Sequence, residues 1–218
     1  MGRLIVIEGL DGSGKTTQTE RVAAELRSRG EKVRVISYPD YQNPSSMLVR
    51  MYLNGELSAR AEEVNAYAAS SFYAVDRYAS YLQDWKSFYE GGGLLLATRY
   101  VGSNAIHQMG KLPESEWEGF LAWLEDYEYG KLGLPRPDQV IFLDMPQEAS
   151  DYLLNLRYQG DSASRDLHER DAAYLERCRK TASYAAERLG WSVVLCGKGG
   201  RPFPLEEVTR RILEALFG

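Results

Sequence analysis

The chain is poor in the residues that build metal centres and disulfide frameworks. Its 218 residues include two cysteines and two histidines. Cys178 and Cys196 form no C-x-x-C pair, and neither lies at ligand spacing from His107 or His168. This pattern excludes a zinc framework and a disulfide scaffold. It is typical of a reducing, cytoplasmic setting.

Long apolar runs and excess positive charge are also missing. No apolar run approaches the ~20 residues that a membrane-spanning helix needs, and the chain opens directly on a predicted strand, without a signal-peptide pattern. The formal net charge is -5, whereas nucleic-acid backbones are bound by basic surfaces. We therefore expect no membrane and no nucleic-acid polymer among the partners. A small phosphorylated ligand, which needs only a local positive pocket, remains compatible with this charge.

Short apolar runs alternate with longer amphipathic stretches along the whole chain. The runs are continuous rather than alternating, which predicts parallel strands that are covered on both faces. We see no linker or repeat, so we expect a single domain over residues 1–218, a three-layer α/β/α fold with a five-stranded parallel sheet. The predicted strands lie at residues 4–7, 33–36, 94–97, 140–143 and 193–195, and the predicted helices at 16–29, 61–89, 115–129, 170–189 and 205–217.

Residues 9–16 read GLDGSGKT and match the phosphate-loop pattern G-x-x-x-x-G-K-[ST] in full. The match follows a predicted strand and opens a predicted helix, which is the context that the motif requires. Its glycines let backbone N–H groups converge on phosphate oxygens, Lys15 can reach the β and γ phosphates, and the Thr16 hydroxyl can bind Mg²⁺. The sequence therefore predicts binding of ATP or a similar nucleotide.

The phosphate loop alone leaves a switch, a motor and a small-molecule kinase open. A GTPase-like switch would carry the string Asn-Lys-x-Asp, which the sequence lacks, and a motor usually needs partner domains. A kinase needs a second pocket and a lid that excludes water. Residues 159–166 are small and polar and are bordered by Arg157, Arg165 and Arg170. They predict a short mobile lid at approximately residues 157–169.

Several ordered segments resemble the thymidylate kinase family. The phosphate-loop segment IEGLDGSGKTTQ at residues 7–18 is followed by YPD at 38–40, FYAVDR at 72–77, RYVGSNA at 99–105 and PRPD at 135–138. RDLHE at 165–169 is a looser match. The resemblance covers nearly the whole chain. It implies a P-loop kinase fold, a homodimer, and transfer of the γ-phosphoryl group from ATP to dTMP with Mg²⁺, giving dTDP and ADP.

The resemblance also implies roles for individual residues. Asp11 would accept a hydrogen bond from the 3′-hydroxyl of dTMP. Tyr73, or its neighbour Phe72, would stack on the base, and Asn104 would offer it both a donor and an acceptor. The full expected set is Lys15, Arg99 and Arg165 in catalysis; Asp11, Gly12, Ser13, Gly14, Lys15, Thr16, Thr17 and Arg157 around ATP; Asp11, Asp40, Phe72, Tyr73, Arg77, Arg99, Ser103, Asn104 and His107 around dTMP; and Thr16 with Glu8 at the metal.

Three positions depart from the family pattern. Thr98 stands where the family has Asp before the arginine that ends the third strand, so Mg²⁺ would depend more on Thr16, the phosphates and Glu8, or Asp40 would compensate. His107 replaces a tyrosine that disfavours a ribose 2′-hydroxyl in some members. Gly12 occupies a loop position that is arginine in some members. The catalytic positive charge would therefore come from Arg165 or, failing that, Arg170.

The sequence thus predicts a dTMP kinase, with two alternatives left open. One is a kinase for another nucleoside monophosphate or for a deoxynucleoside. The other is a nucleotide-binding regulatory protein that has lost catalysis, which the neutral Thr98 favours and the intact Lys15 and Thr16 disfavour.

Overall fold

A five-stranded parallel sheet forms the centre of the protein. In the computed structural model, which describes residues 1–58, 60–157 and 172–218, the strands follow the order β2-β3-β1-β4-β5. All five strands predicted from the sequence are confirmed. Their bounds are Arg3–Gly9 (β1), Val33–Ser37 (β2), Leu94–Thr98 (β3), Gln139–Asp144 (β4) and Ser192–Leu195 (β5), and a short antiparallel hairpin follows at Gly197–Lys198 (β6) and Arg201–Pro202 (β7).

Helices connect the strands and cover the sheet. Three of them were not predicted, namely those after β2, after β3 and after β4. The first two have only seven and six residues, and helices of fewer than about three turns give a weak periodic signal. The helices are Lys15–Ser28 (α1), Met47–Leu53 (α2), Ala66–Ser80 (α3), Lys86–Glu90 (α4), Gly102–His107 (α5), Trp117–Glu125 (α6), Gln147–Arg157 (α7), Ala172–Arg188 (α8) and Leu205–Phe217 (α9).

The central strand β1 separates two hydrophobic cores. Its residues alternate between the faces of the sheet because successive side chains of a strand point to opposite sides. Ile5 and Ile7 pack with apolar residues of α1 and α9, whereas Leu4 and Val6 pack with those of α3 to α6 and α8. Burial on both faces explains the continuous apolar runs and confirms the predicted three-layer α/β/α architecture.

The predicted helix over residues 61–89 is not continuous. A separate 3-10 turn occupies Ala61–Glu63, and α3 begins only after Asn65, whose side-chain oxygen caps the backbone N–H groups of Tyr67 and Ala68. A π-helical turn, Tyr81–Trp85, then joins α3 to α4. A second π-helical turn, Asp126–Lys131, extends α6. It carries Glu128, a residue of the site described below.

Two further predictions from the sequence concern membrane-spanning helices and the lid. No helix in the described ranges is long and apolar enough to cross a membrane. Most of the predicted lid, with Arg165, lies outside the described residues, as does the neighbouring Arg170. Arg157 is the last residue of α7, and the position of its side chain also lies outside the description.

Candidate active site

The phosphate loop runs from the end of β1 to the first turn of α1. Gly12 and Gly14 both have left-handed backbone angles, with φ of 76° and 82°, which side chains other than glycine rarely adopt. A Cβ atom at Gly12 would lie 2.6 Å from the Ser150 hydroxyl, whereas one at Gly14 would meet no atom within 4 Å. Ser150 of α7 also donates a 2.6 Å hydrogen bond to the Asp11 carbonyl. The loop is therefore held closely against α7 at Gly12.

Lys15 and two threonines occupy the helix end of the loop. The Lys15 ammonium group donates to the Leu10 carbonyl over 2.8 Å, and the Thr16 and Thr17 side chains are exposed. All three border a single large cavity. Ser13 does not: its side chain is buried against Gly9, where a Cβ atom would lie 2.5 Å from the Ser13 oxygen. The expected contribution of Ser13 to nucleotide binding is thus limited to its backbone.

The cavity has a volume of about 670 Å³, the size of typical small-molecule sites. It lies at the carboxyl ends of β1 and β3, where ligands of open α/β folds bind. Its wall combines the phosphate loop with residues from distant parts of the chain: Asp11, Gly12, Gly14, Lys15, Thr16, Thr17, Ser37, Tyr38, Pro39, Tyr41, Leu53, Tyr73, Arg77, Thr98, Arg99, Ser103, Asn104, His107, Gln108, Leu153, Leu154 and Leu205.

Arg99 follows β3 directly and borders the cavity. Its backbone is left-handed, with φ of 65°. Its guanidinium group forms a short ion pair with Asp11, donates to the Ser103 hydroxyl over 3.3 Å, and lies 3.1 Å from Nε2 of His107. A guanidinium group only donates, so Nε2 of His107 is the acceptor. Burial lowers the pKa of Arg99, but the charges of Asp11 and Glu8 outweigh that effect and raise it.

Glu8 lies behind Arg99 and is fully buried. Its carboxylate accepts a 2.8 Å hydrogen bond from the backbone of Tyr100 and a 2.7 Å bond from the Ser103 hydroxyl. Burial raises the pKa of Glu8 despite these donors. Glu8 does not border the cavity, so the structure gives it a role in fixing the Arg99 segment and no direct access to a metal ion.

Thr98 occupies the position of the missing carboxylate and borders the cavity. It is buried, and its hydroxyl donates a 3.0 Å hydrogen bond to that of Thr19. Within the described ranges, no group of three or more acidic, histidine or cysteine side chains could hold a metal ion. The residues present therefore fit a Mg²⁺ ion held mainly by nucleotide phosphates and water, with the exposed Thr16 hydroxyl as the protein ligand.

A second part of the cavity wall is held by a buried ion pair. Arg77 of α3 and Glu128 are 1% and 0% exposed and share two hydrogen bonds of 2.7 and 2.6 Å. Arg77 also donates to the Tyr100 carbonyl over 3.3 Å. Burial lowers the pKa of Arg77, but its contacts with Glu128 outweigh that effect and raise it. Both Arg77 and Asn104, which the sequence placed in the expected dTMP set, border the cavity.

The side-chain amide of Asn104 was expected to offer both a donor and an acceptor to a base, but in this structure its donor side is paired within the protein. Its amide nitrogen donates to the Ser70 carbonyl over 3.2 Å and to Glu128 over 3.0 Å. These two bonds use both of its N–H groups. Only the amide oxygen of Asn104 remains for a ligand.

The two aromatic candidates for stacking on a base, Tyr73 and Phe72, differ in their position relative to the cavity. Tyr73 borders the cavity, and its ring stands edge-on to Tyr52 with centroids 6.4 Å apart. Both residues pack against the small cluster of Tyr52 and Ala69. Phe72 does not border the cavity, because α3 turns its side chain about 100° away from that of Tyr73. The structure thus favours Tyr73 over Phe72 as a stacking platform.

Asp40 does not reach the cavity wall, although its neighbour Pro39 does. Its backbone N–H donates to the Asp76 carboxylate over 2.9 Å, and Ser45 donates to the same carboxylate over 2.7 Å. The segment of Tyr38 and Pro39 is thereby fixed against α3. Asp40 holds this segment through its backbone, and its expected contact with dTMP is not brought about in this arrangement.

Sequence reasoning missed several polar residues of the wall, namely Ser37, Tyr38, Tyr41 and Gln108, of which Gln108 is the most buried. Gln108 borders the cavity and is 1% exposed, and its side-chain oxygen has no hydrogen-bond partner among the described residues. Its spacing of four residues from Asn104 places both on one side of a helical turn. That spacing was available from the sequence and could have identified Gln108.

Comparisons with known proteins agree on one family. The sequence model described as thymidylate kinase matches residues 7–198. The thymidylate kinase of Mycobacterium tuberculosis is 33% identical over 196 residues, covering 88% of this chain and 90% of that protein. The thymidylate kinase of Rhizorhabdus wittichii is 28% identical and covers 99% and 97% of the two chains. The solved thymidylate kinase structure from Candida albicans shares the fold, with a TM-score of 0.71, 20% identity and coverage of 99% and 91%.

Proposed function

The chain belongs to the thymidylate kinase family, and we propose that the cavity beside its phosphate loop is where the γ-phosphoryl group of ATP passes to dTMP. One observation carries the proposal. A single cavity is bordered both by the phosphate loop, at Lys15 and Thr16, and by the set expected to bind the acceptor, at Tyr73, Arg99 and Asn104. A nucleoside monophosphate kinase needs this juxtaposition, since donor and acceptor must meet in line.

The phosphate loop would bind ATP mainly through its backbone. The left-handed Gly12 and Gly14 turn N–H groups towards the phosphates, and the first turn of α1 adds its partial positive charge. Lys15 would exchange its bond to the Leu10 carbonyl for one to the phosphates. A bound Mg²⁺ ion would neutralise phosphate charge, with Thr16 as its protein ligand.

Arg99 would bind the phosphate of dTMP. Its planar group of donors suits a phosphate, and its partners Ser103 and His107 hold it at the cavity. Asp11, which pairs with Arg99, would accept a hydrogen bond from the 3′-hydroxyl of the sugar. An acceptor phosphate is ionised at neutral pH, so the reaction requires positioning and charge neutralisation and no strong base.

Tyr73 would stack on the thymine ring. The edge of the ring would form hydrogen bonds with Arg77, Asn104 and Gln108. Arg77 provides donors, and the amide oxygens of Asn104 and Gln108 are available as acceptors. The base would contact side chains that are almost fully buried, since Arg77, Asn104 and Gln108 are 1%, 2% and 1% exposed. There each matched hydrogen bond contributes to selectivity.

Arg165 would supply the positive charge on the transferring phosphoryl group, and Arg157 would lie near the adenine. The glycine at position 12 supports this proposal, because the loop itself lacks the arginine that could act there. Such a residue is worth about 10³-fold or more in rate. Turnover within threefold of the parent in both Arg165→Ala and Arg170→Ala would contradict it.

The family also supports a homodimer acting in the cytoplasm. Exposed apolar side chains on α2 and α3 fit a dimer surface: Met47, Leu48 and Val75. Sedimentation velocity of the parent and of Val75→Glu tests this part. A monomeric parent would contradict it.

The function is tested by a coupled ADP-release assay with Mg-ATP. The acceptors are dTMP, dUMP, dCMP, dGMP and thymidine. We expect turnover that prefers dTMP. Preference for another acceptor would favour the alternative kinase, and nucleotide binding without ADP release would favour the regulatory protein that Thr98 left open.

A further inference from the structure

The carboxylate of Glu128 contacts both base-reading residues without bordering the cavity itself. It accepts hydrogen bonds from Nε and Nη2 of Arg77 and from the amide nitrogen of Asn104. The cavity wall includes Arg77 and Asn104 but not Glu128. Any effect of Glu128 on a bound nucleotide is therefore exerted through these two side chains.

The orientation of the Asn104 amide follows from its partners. The Ser70 carbonyl and the Glu128 carboxylate can only accept hydrogen bonds. The side of the amide that contacts them must therefore be its nitrogen. The oxygen is left on the other side, as an acceptor towards the cavity.

The orientation of Arg77 is fixed by the same carboxylate. Two parallel bonds to Glu128 hold the plane of the guanidinium group, which adds geometric specificity to the contact. With the bond to Tyr100, three of its five N–H groups are used within the described residues. The others are donors available at the cavity.

We propose that Glu128 is a positioning residue that makes the site selective for a pyrimidine with an N3–H donor beside a C4 carbonyl. The wall presents an acceptor, Asn104, next to a donor, Arg77. Thymine and uracil match this pattern, since N3–H donates and O4 accepts. Cytosine mismatches it twice, because its N3 accepts and its 4-amino group donates. This inference rests on the proposed function for the identity of the acceptor site.

The 5-methyl group of thymine takes no part in this recognition. Glu128 should therefore favour dTMP and dUMP equally over dCMP. Loss of its charge would weaken the hold on the Asn104 amide, because a glutamine at position 128 can donate as well as accept. Only the Ser70 carbonyl would then still require the Asn104 nitrogen. The selectivity ratio would then change, whereas damage to the fold would weaken all nucleotides together.

The test measures dissociation constants of dTMP, dUMP and dCMP by calorimetry in the parent and in Glu128→Gln. We expect the preference for dTMP over dCMP to fall at least tenfold, with the ratio of dTMP to dUMP constant within twofold. Glu125→Gln is the matched control, because Glu125 precedes the same turn and pairs on the surface with Arg136 over 2.7 Å. It should leave both ratios unchanged.

Glu128→Asp is a second variant that keeps the inference testable if Glu128→Gln does not fold. It keeps a negative charge beside Arg77, but its side chain is one methylene shorter and cannot contact Arg77 and Asn104 together. We expect an intermediate loss of selectivity. Unchanged dTMP to dCMP ratios in a folded Glu128 variant, or a parent that binds both nucleotides equally, would overturn the inference. Because binding is measured without ATP, a parent that binds selectively but releases no ADP would contradict only the proposed function.

Discussion

Two parts of the cavity wall are held in place by different kinds of contact. One is the phosphate loop, and the other, called here the base-reading wall, consists of Tyr73, Arg77, Asn104 and Gln108. The loop depends on backbone geometry, with left-handed glycines and the hydrogen bond from Ser150 to the Asp11 carbonyl. The wall depends on side chains, and above all on the buried pair of Arg77 and Glu128. Under the proposed function, the loop would bind the phosphates that all nucleoside triphosphates share, whereas the wall would distinguish one base from another.

Two arginine–carboxylate pairs show the same contrast. Arg77 and Glu128 are almost completely buried, and neither can exchange its partner for water. Arg99 and Asp11 are 18% and 17% exposed at the cavity, where a phosphate or a sugar hydroxyl can replace the partner. The buried pair thus belongs to the framework, and the accessible pair is the one to which the proposed function assigns contacts with the substrate.

The largest expected effect is a difference in stability between two variants, each of which removes the carboxylate of one pair. Glu128→Ala leaves a buried guanidinium group without its partner, which costs about 3–5 kcal/mol of unfolding free energy. Asp11→Ala leaves Arg99 in contact with cavity water and should cost about 1 kcal/mol or less. Urea unfolding of both variants measures the difference. Equal losses would mean that the two pairs do not differ in kind.

A smaller effect should separate the two loop glycines. Alanine in a left-handed conformation costs about 1–2 kcal/mol, and we expect that cost for Gly14→Ala, where a Cβ atom meets open space. Gly12→Ala adds contacts of 2.6 and 2.8 Å with Ser150 and should displace the loop from α7. ATP affinity, measured by calorimetry, should therefore fall at least tenfold further in Gly12→Ala than in Gly14→Ala. The reverse order would show that Ser150 does not fix the loop.

The same contrast explains how much the sequence could predict. The phosphate loop was recognisable because its backbone geometry requires glycines, lysine and threonine at fixed spacing. The position of Arg99 followed from the end of a buried strand, and the i+4 spacing of Tyr73 and Arg77 placed both on one helix face. These features are local in the sequence.

The remainder of the site depends on contacts between distant residues. Glu128 lies 51 positions from Arg77, on a π-helical turn that no local pattern indicates. The pairing of the Asn104 nitrogen with Glu128 and Ser70 decides which end of the amide meets a ligand. Sequence spacing could not show this. Phe72 and Tyr73 are chemically alike and both pack against Tyr52 and Ala69. Only their position relative to the cavity, which Tyr73 alone of the two borders, separates them.

The smallest effect concerns Thr98, which lies between the two regions at the end of β3. A carboxylate there would help to organise Mg²⁺ through water beside Lys15 and Arg99, both of which border the same cavity. We therefore expect Thr98→Asp to raise kcat by about fivefold, which corresponds to about 1 kcal/mol of activation free energy. Thr98→Val is the control of similar shape. It removes the hydrogen bond to Thr19, should cost about 1 kcal/mol of unfolding free energy, and should leave kcat unchanged. A folded Thr98→Asp with parental or lower kcat would mean that the phosphates and Thr16 already organise the metal fully.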